Sequence, residues 1–483
     1  MNKKISLFLC FMLLSCMSMW AQVLPDRYRT SVFTNVAVTN NVVFSTNIIG
    51  PKPKGWLFIT LPIAVDETDT QNYTLRMDIY KPVGDTNTRR PVIILCFGGG
   101  FVQGTRNMPD MVQLAQEYAK RGFVAACIDY RLGMNVFNEN DCYRAVYRGL
   151  QDGRSAVRFF RNNANTQGVD PNQIYISGHS AGGFVAMQNA YLDKESERPA
   201  STFGGAGFNG ANQGTLDSVG DNKTDGLGNL VSGKANAAVT FAGAIGFLSH
   251  VEGINDVAVN MFHSDPDGTV PFTSGTPFGF IGSLPGINLP TVQGSSNVHT
   301  RANAVSAPHF FEAYNTSIPL TANMLKNTGD RNHGVHFDGT NIYTDIIPKS
   351  SMFLYNRRLT PAVQTILGST IICDQNLTQT YTLSNNFNFY YDWSIIGGVI
   401  NTPSILPIGG YDPTKRQYLN AISVTWNAGA GPRSLSVTPY QRNLARNPSV
   451  ITNTYSLNNA PVAATAVPTQ NIQIGGGDRK SVV

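Results

Sequence analysis

The chain has 483 residues, 42% of them hydrophobic and 14% charged, with 46 glycines, which gives enough apolar material for a large core and excludes intrinsic disorder. A formal net charge of +5 is slight for this size, and no Lys/Arg block occurs beyond the extreme N-terminus, so nothing calls for nucleic acid or anionic lipid as partner. Neither a C-x-x-C pair nor an H-E-x-x-H helix occurs, so no metal or cofactor is expected.

Residues 1–21 read as a secretory signal: Asn2-Lys3-Lys4 supplies the positive start, Ile5 to Met19 the apolar core, and Trp20-Ala21-Gln22 the cleavage point. A rival reading takes Leu13-Leu14-Ser15-Cys16 as a lipobox that would leave a lipid on Cys16. Export permits a disulfide between Cys127 and Cys142, which the sequence leaves open.

Strand and helix signals then alternate. Tyr73 to Tyr80 reads as a strand, and Arg90 to Cys96 as a buried strand ending in Phe97-Gly98-Gly99-Gly100-Phe101. Met111 to Arg121 reads as a helix, Val124 to Tyr130 as a strand, and Gly153 to Asn163 as an amphipathic helix. This alternation predicts a mostly parallel sheet with helices on both faces. Next comes a β-rich run, Gln173 to Ser177, then Gly178-His179-Ser180-Ala181-Gly182-Gly183, then an apolar helical run from Phe184. Strand, sharp turn and helix form the setting in which a serine is projected from a strained turn as a nucleophile, with flanking glycines allowing close passage. Two insertions are long for loops. Ser201 to Gly233 is rich in Gly, Asn and Asp. Pro271 to Pro290 carries Phe272, Phe278 and Phe280, which either wall a substrate pocket or cap the core.

The Gly178–Gly183 hexapeptide and the triple-glycine turn together resemble the α/β-hydrolase carboxylesterases that carry GHSAGG at the nucleophile and an HGGG-type turn upstream. The resemblance covers roughly residues 60 to 360 and implies a serine ester hydrolase that acts through an acyl-enzyme. It implies Ser180 as nucleophile, with Gly99, Gly100 and Ala181 donating backbone N–H groups to the oxyanion. Phe97 stands where the family has a loop-anchoring histidine, so the rigidity of that turn is in question. His263 to Pro271 resembles the family's H-G-x-x-D-x-x-V-P segment and selects Asp267 as the acid, with Asp265 as rival. The base then belongs in the loop Asn332-His333-Gly334-Val335-His336. His333 fits best and His336 remains the alternative. A dinucleotide loop is disfavoured because no helix opens at the third glycine.

After Leu359-Thr360-Pro361 the pattern becomes all-β, with strands at Gln379 to Leu383, Tyr391 to Ile396, Ala421 to Trp426 and Ser434 to Val437. These resemble PKD-like modules of secreted Bacteroidetes proteins, which implies a spacer or a carbohydrate-facing or surface-binding role. The expected organisation is therefore a signal (1–21), an α/β-hydrolase domain (22–360), a PKD-like β-sandwich (361–465) and an unstructured tail (466–483). The expected partner is a small or polymeric ester, including acetyl, feruloyl or polyester substrates. A prolyl-oligopeptidase-type peptidase and a non-catalytic adhesin on a hydrolase fold are the competing readings.

Overall fold

The computed structural model describes residues 27–314 except 53, 57–58, 64–66, 206–209, 254 and 283–284, then 345–359 and stretches of 366–475. The described residues fall into two compact units, which divide between Leu354 and Tyr355.

The first unit is built on eight strands: β1 (Val36–Pro51), β2 (Thr70–Pro82), β3 (Arg90–Cys96), β4 (Val124–Ile128), β5 (Val169–His179), β6 (Ala237–Phe241), β7 (Val259–Ser264) and β8 (His309–Tyr314). They lie in the order β1-β2-β4-β3-β5-β6-β7-β8. Only β2 runs antiparallel to its neighbours, and every pair from β4 to β8 is parallel. This is the α/β-hydrolase fold. Strands β3, β4 and β6 are apolar without alternation because both faces of the sheet are covered, and their residues from Val92 to Cys96, Val124 to Ile128 and Ala237 to Phe241 are buried. The helices are α1 (Pro109–Lys120), α2 (Glu139–Asn162), α3 (Ala181–Tyr191), α4 (Ser295–Val305) and α5 (Ile347–Leu359).

Helix α2 is much longer than the stretch predicted from Gly153 onward. The helix carries arginines that a pattern reading assigns to solvent, yet Arg144 and Arg148 in the added length and Arg158 in the predicted part are almost wholly buried. Carboxylates from distant segments make this affordable. The Ser201–Gly233 insertion supplies one of them. Asp217 accepts from Arg154 at 2.6 Å and from Arg158 at 2.5 Å, while Val219 and Asn222 take further arginine hydrogen bonds. Burial alone would raise the Asp217 carboxyl, but the Arg154 hydrogen bond and the charges of Arg154 and Arg158 outweigh it and hold the group below the usual carboxylate range. The insertion is thus a strap fixed along α2.

The second unit contains β9 (Ile371–Cys373), β10 (Thr378–Thr382), β11 (Phe389–Ile396), β12 (Gly398–Ile400), β13 (Ala421–Trp426), β14 (Ser434–Gln441), β15 (Thr469–Asn471) and β16 (Gln473–Gly475). Two three-stranded sheets, β10-β13-β12 and β11-β14-β15, contribute to one core that includes Tyr381, Trp393, Trp426 and Leu435. The predicted unstructured tail is corrected here: Ser434–Ser436 pair with Thr469–Asn471, and Ile371–Cys373 pair with Gln473–Gly475, so part of that tail completes two sheets. The candidate disulfide is also absent. Cys127 and Cys142 are both buried free thiols, and Cys127 Sγ lies 3.4 Å from the Met111 carbonyl oxygen.

Replacing Asp217 with alanine removes the acceptor shared by Arg154 and the buried Arg158, so Asp217→Ala is expected to cost about 2–3 kcal/mol of stability. Urea unfolding of the variant against the wild type measures it, and an unchanged midpoint would show that the strap bears no load.

Candidate active site

Ser180 lies at the turn between β5 and α3 with φ 54° and ψ −120°, a conformation that a residue with a Cβ adopts only under constraint. Two backbone bonds hold it there. The Ser180 N–H donates to the Phe241 carbonyl oxygen at 2.9 Å, and the Phe184 N–H donates to the Ser180 carbonyl oxygen at 3.0 Å. The flanking glycines are required by close approach: a Cβ on Gly178 would lie 2.2 Å from the Gly182 carbonyl oxygen, and one on Gly182 would lie 2.0 Å from that of Cys96. Neither contact is survivable, so the turn admits no side chain at these positions.

The triple-glycine turn lies directly against the serine, since a Cβ on Gly98 would be 3.2 Å from Ser180 Cβ. Gly100 and Ala181 line one pocket together with Ser180. Gly99 sits behind them, with its carbonyl oxygen accepting the Val102 and Gln103 N–H groups at 3.1 Å each. The doubt raised by Phe97 is answered by a different anchor. Its ring stacks on Tyr130 with centroids 4.3 Å apart, and the Tyr130 hydroxyl donates to the Phe97 carbonyl oxygen at 2.8 Å. The Gly133 N–H also donates to the Phe101 carbonyl oxygen at 2.8 Å. An aromatic pair and two hydrogen bonds therefore anchor the turn.

Charged groups beneath the turn fix these anchors. Arg131 pairs with Asp152 at 2.9 Å, with both side chains nearly inaccessible, and the Arg131 N–H donates to Asp152 Oδ2 at 2.7 Å. Arg148 donates to the Gly133 carbonyl oxygen at 2.9 Å and pairs with Glu67, which also pairs with Arg144. Asp141 completes the cluster 3.6 Å from Arg148. Burial pushes the Asp141 carboxyl above the usual carboxylate range, and its hydrogen bond with Glu67 adds to the rise.

The acid loop follows β7. Asp267 is buried, whereas its rival Asp265 is exposed. Asp267 Oδ1 accepts the Thr269 and Val270 N–H groups at 2.8 and 2.9 Å, and Oδ2 lies 3.2 Å from His263 Nε2. His263, read from the sequence only as a strand end, is fully buried between this carboxylate and Ser295 Oγ, 3.0 Å from its Nδ1. Nε2 faces two acceptors, Asp267 Oδ2 and the Val270 carbonyl oxygen at 3.2 Å, so it carries a hydrogen. Thr269 and Val270 from this loop line the Ser180 pocket. Both base candidates, His333 and His336, lie outside the described residues.

The Pro271–Pro290 aromatics divide their roles. Phe278 walls the pocket and lies over Gly100, where an added Cβ would be 2.6 Å from the end of the ring. Phe272 instead packs against His263 and Phe311, at 5.5 and 5.8 Å. Phe278 has φ 67°, a positive value that a bulky residue adopts only under constraint, and its N–H is tied to the Thr269 carbonyl oxygen at 2.6 Å. Sequence reasoning missed one further contact of the elbow: His179 Nδ1 lies 3.3 Å from Asp110 Oδ2 at the start of α1.

Residues 77–278 match the family model described as BD-FAE. That region runs from β2 to Phe278 and contains Ser180, the glycine turn and Asp267. Neuroligin-like protein glit-1 of Caenorhabditis elegans is 36% identical over 151 residues, which are 30% of this chain and 19% of that protein. Gut esterase 1 of the same organism is 36% identical over 115 residues, 24% of this chain and 20% of that protein. Isoprenylcysteine alpha-carbonyl methylesterase ICME of Arabidopsis thaliana is 30% identical over 111 residues, 23% of each. The chain thus spans only 19–20% of the length of the first two relatives. Among solved structures, propionate-bound Est2, an esterase of Thermogutta terrifontis, is 20% identical, with a TM-score of 0.40 over 59% of this chain and 90% of that one.

Two substitutions test the support beneath the turn. Tyr130→Phe removes one buried hydrogen bond to the triple-glycine turn while keeping the ring stack, and is expected to cost about 1 kcal/mol of stability, read from urea unfolding against the wild type. Asp141 is held protonated in the folded chain at pH values where the unfolded chain has released that proton, so stability must fall as pH rises through this interval. Asp141→Asn removes the titration. Its unfolding free energy should change less than the wild type's between about pH 5 and about pH 9, and parallel curves would contradict the assignment.

Proposed function

We propose that this chain is a serine carboxylic-ester hydrolase that forms an acyl-enzyme on Ser180 and needs no cofactor. The observation that carries the reading is the strained Ser180 on the wall of an apolar pocket that it shares with Gly100 and Ala181. A serine hydroxyl attacks an ester only when a neutral imidazole takes its proton, and the imidazolium formed needs a carboxylate partner. In this proposal His333 is the base and Asp267 its partner, with His336 as the alternative base. Backbone N–H groups of Gly100 and Ala181, with Gly99, receive the charge that develops on the carbonyl oxygen. Preorganised donors of this kind are worth about 3 kcal/mol each in the transition state. The imidazolium then returns its proton to the leaving alcohol, and water repeats the sequence on the acyl-enzyme.

Secretion through residues 1–21 belongs to the same proposal, as does a spacer or surface-binding role for the PKD-like second unit, including contact with carbohydrate. The likeness to gut esterase 1 and to the methylesterase favours ester over peptide chemistry.

The two histidines are separable by kinetics. His333→Ala is expected to lose about three to four orders of magnitude in kcat on an activated ester, as removal of a triad member does, while His336→Ala keeps most of the activity. The reverse ranking would move the base to His336, and full activity in both variants would sink the triad.

A further inference from the structure

The apolar pocket at Ser180 borders a second one. Its lining includes Cys142 and Val146 of α2, Phe184 of α3, and Pro290 and Val292. These same five residues also line a second cavity, which continues to Tyr147, Leu150, Leu192, Gly246 and Phe247. The two cavities therefore adjoin at Cys142, Val146 and Phe184 and make up the near and far lobes of a recess. Cys142 and Val146 stand one helical turn apart on the same face of α2, so a single helix edge stands between the lobes.

The recess is largely apolar. Among the described residues no Asp, Glu, Lys, Arg or His lines either lobe, and the far lobe holds one side-chain amide, Gln188, whose Oε1 is buried with no hydrogen-bond partner among them. Among the polar groups of the far lobe, the Tyr147 hydroxyl is committed to the Gly214 carbonyl oxygen at 3.0 Å, and Tyr143 turns its hydroxyl to Glu139 at 3.4 Å while its ring stacks on Phe247, 5.8 Å away. A charged or strongly hydrated group would lose its water here without compensation, whereas an apolar chain gains with each methylene it buries.

Resting on the ester-hydrolase reading, we infer that the recess is an extended acyl site, and that the lobe beyond Cys142 and Val146 selects esters of medium-chain, uncharged acyl groups. The acyl group is the part that stays on Ser180 through both half-reactions, and the near lobe is walled by Ser180 and by Gly100 and Ala181. The alcohol must leave, so it does not belong in an inward recess.

Gly246 gives a clean test, because it lines the far lobe and an added Cβ there would meet only the Tyr143 ring, at an ordinary contact distance of 3.6 Å. Initial rates on p-nitrophenyl acetate, butyrate and octanoate should give kcat/KM values that rise with acyl length in the full-length wild type. Gly246→Phe should lower the octanoate-to-acetate ratio about tenfold or more. Val146→Phe, placed at the junction, should lower the butyrate-to-acetate ratio as well. Octanoate esters of short and long alcohols should differ far less than acyl homologues do. A flat or falling acyl profile in the wild type, or an unaltered octanoate-to-acetate ratio in both variants, would overturn the second lobe while leaving the hydrolase reading intact. Failure of the folded wild type to cleave any ester would instead remove the hydrolase reading, and this site with it.

Discussion

Everything at this site depends on holding one serine in a backbone conformation it would not adopt alone. Ser180 at φ 54° and ψ −120° costs about 1–3 kcal/mol locally. The cost is offset because β5 and α3 are both packed into the core and the two backbone hydrogen bonds of Ser180 can form only with the turn closed. The constraint explains the composition around it. With the Gly182 Cα only 2.8 Å from where a Cβ on Gly178 would lie, strand and helix leave no room for a methyl group. The serine hydroxyl is consequently presented at the pocket wall by rigid elements, which is what a nucleophile needs if the attack geometry is to cost no further ordering.

The same logic of support at a distance governs the triple-glycine turn, whose N–H groups we propose as oxyanion donors. Its donors are backbone groups and cannot be tuned by side-chain identity, so their placement depends on what lies beneath. Here that is Tyr130 and Gly133, themselves fixed by Arg131, Asp152 and Arg148. Such buried charges add little net stability, because desolvation consumes most of their attraction. What they contribute is a single arrangement, since moving any member strands another charge in a region without water.

Much of this was legible in the sequence, and the parts that were not share one cause. Apolar runs at Arg90–Cys96 and Val124–Ile128, and the Gly178–Gly183 hexapeptide, announced both the parallel sheet and the strained turn at Ser180, because buried strands and tight turns leave local signatures. The first half of α2 left none. Arg144 and Arg148 look like a solvated face until Glu67 is brought to them by the fold, and Gly149 and Gly153 look like breaks until Val185 is seen packed 3.1 and 2.9 Å from where their Cβ atoms would lie. The strap formed by the Ser201–Gly233 insertion was invisible for the same reason, because its hold on α2 through Asp217 is a long-range pairing. The segment resemblance already favoured Asp267 over Asp265, but only the fold shows that the first is buried and the second exposed. His263 entered only as the first residue of that segment, because a histidine at the end of a strand has no local mark of its partners.

The central claim, that Ser180 is an activated nucleophile, is tested most directly by covalent labelling. A fluorophosphonate probe reacts with a serine whose proton is being removed and whose oxyanion is received, and leaves ordinary serines untouched. Intact-mass analysis of the full-length protein after exposure should show one adduct per chain, with peptide mapping locating it on Ser180 and Ser180→Ala showing none. An unlabelled wild type, or an adduct that persists in Ser180→Ala, would contradict the account.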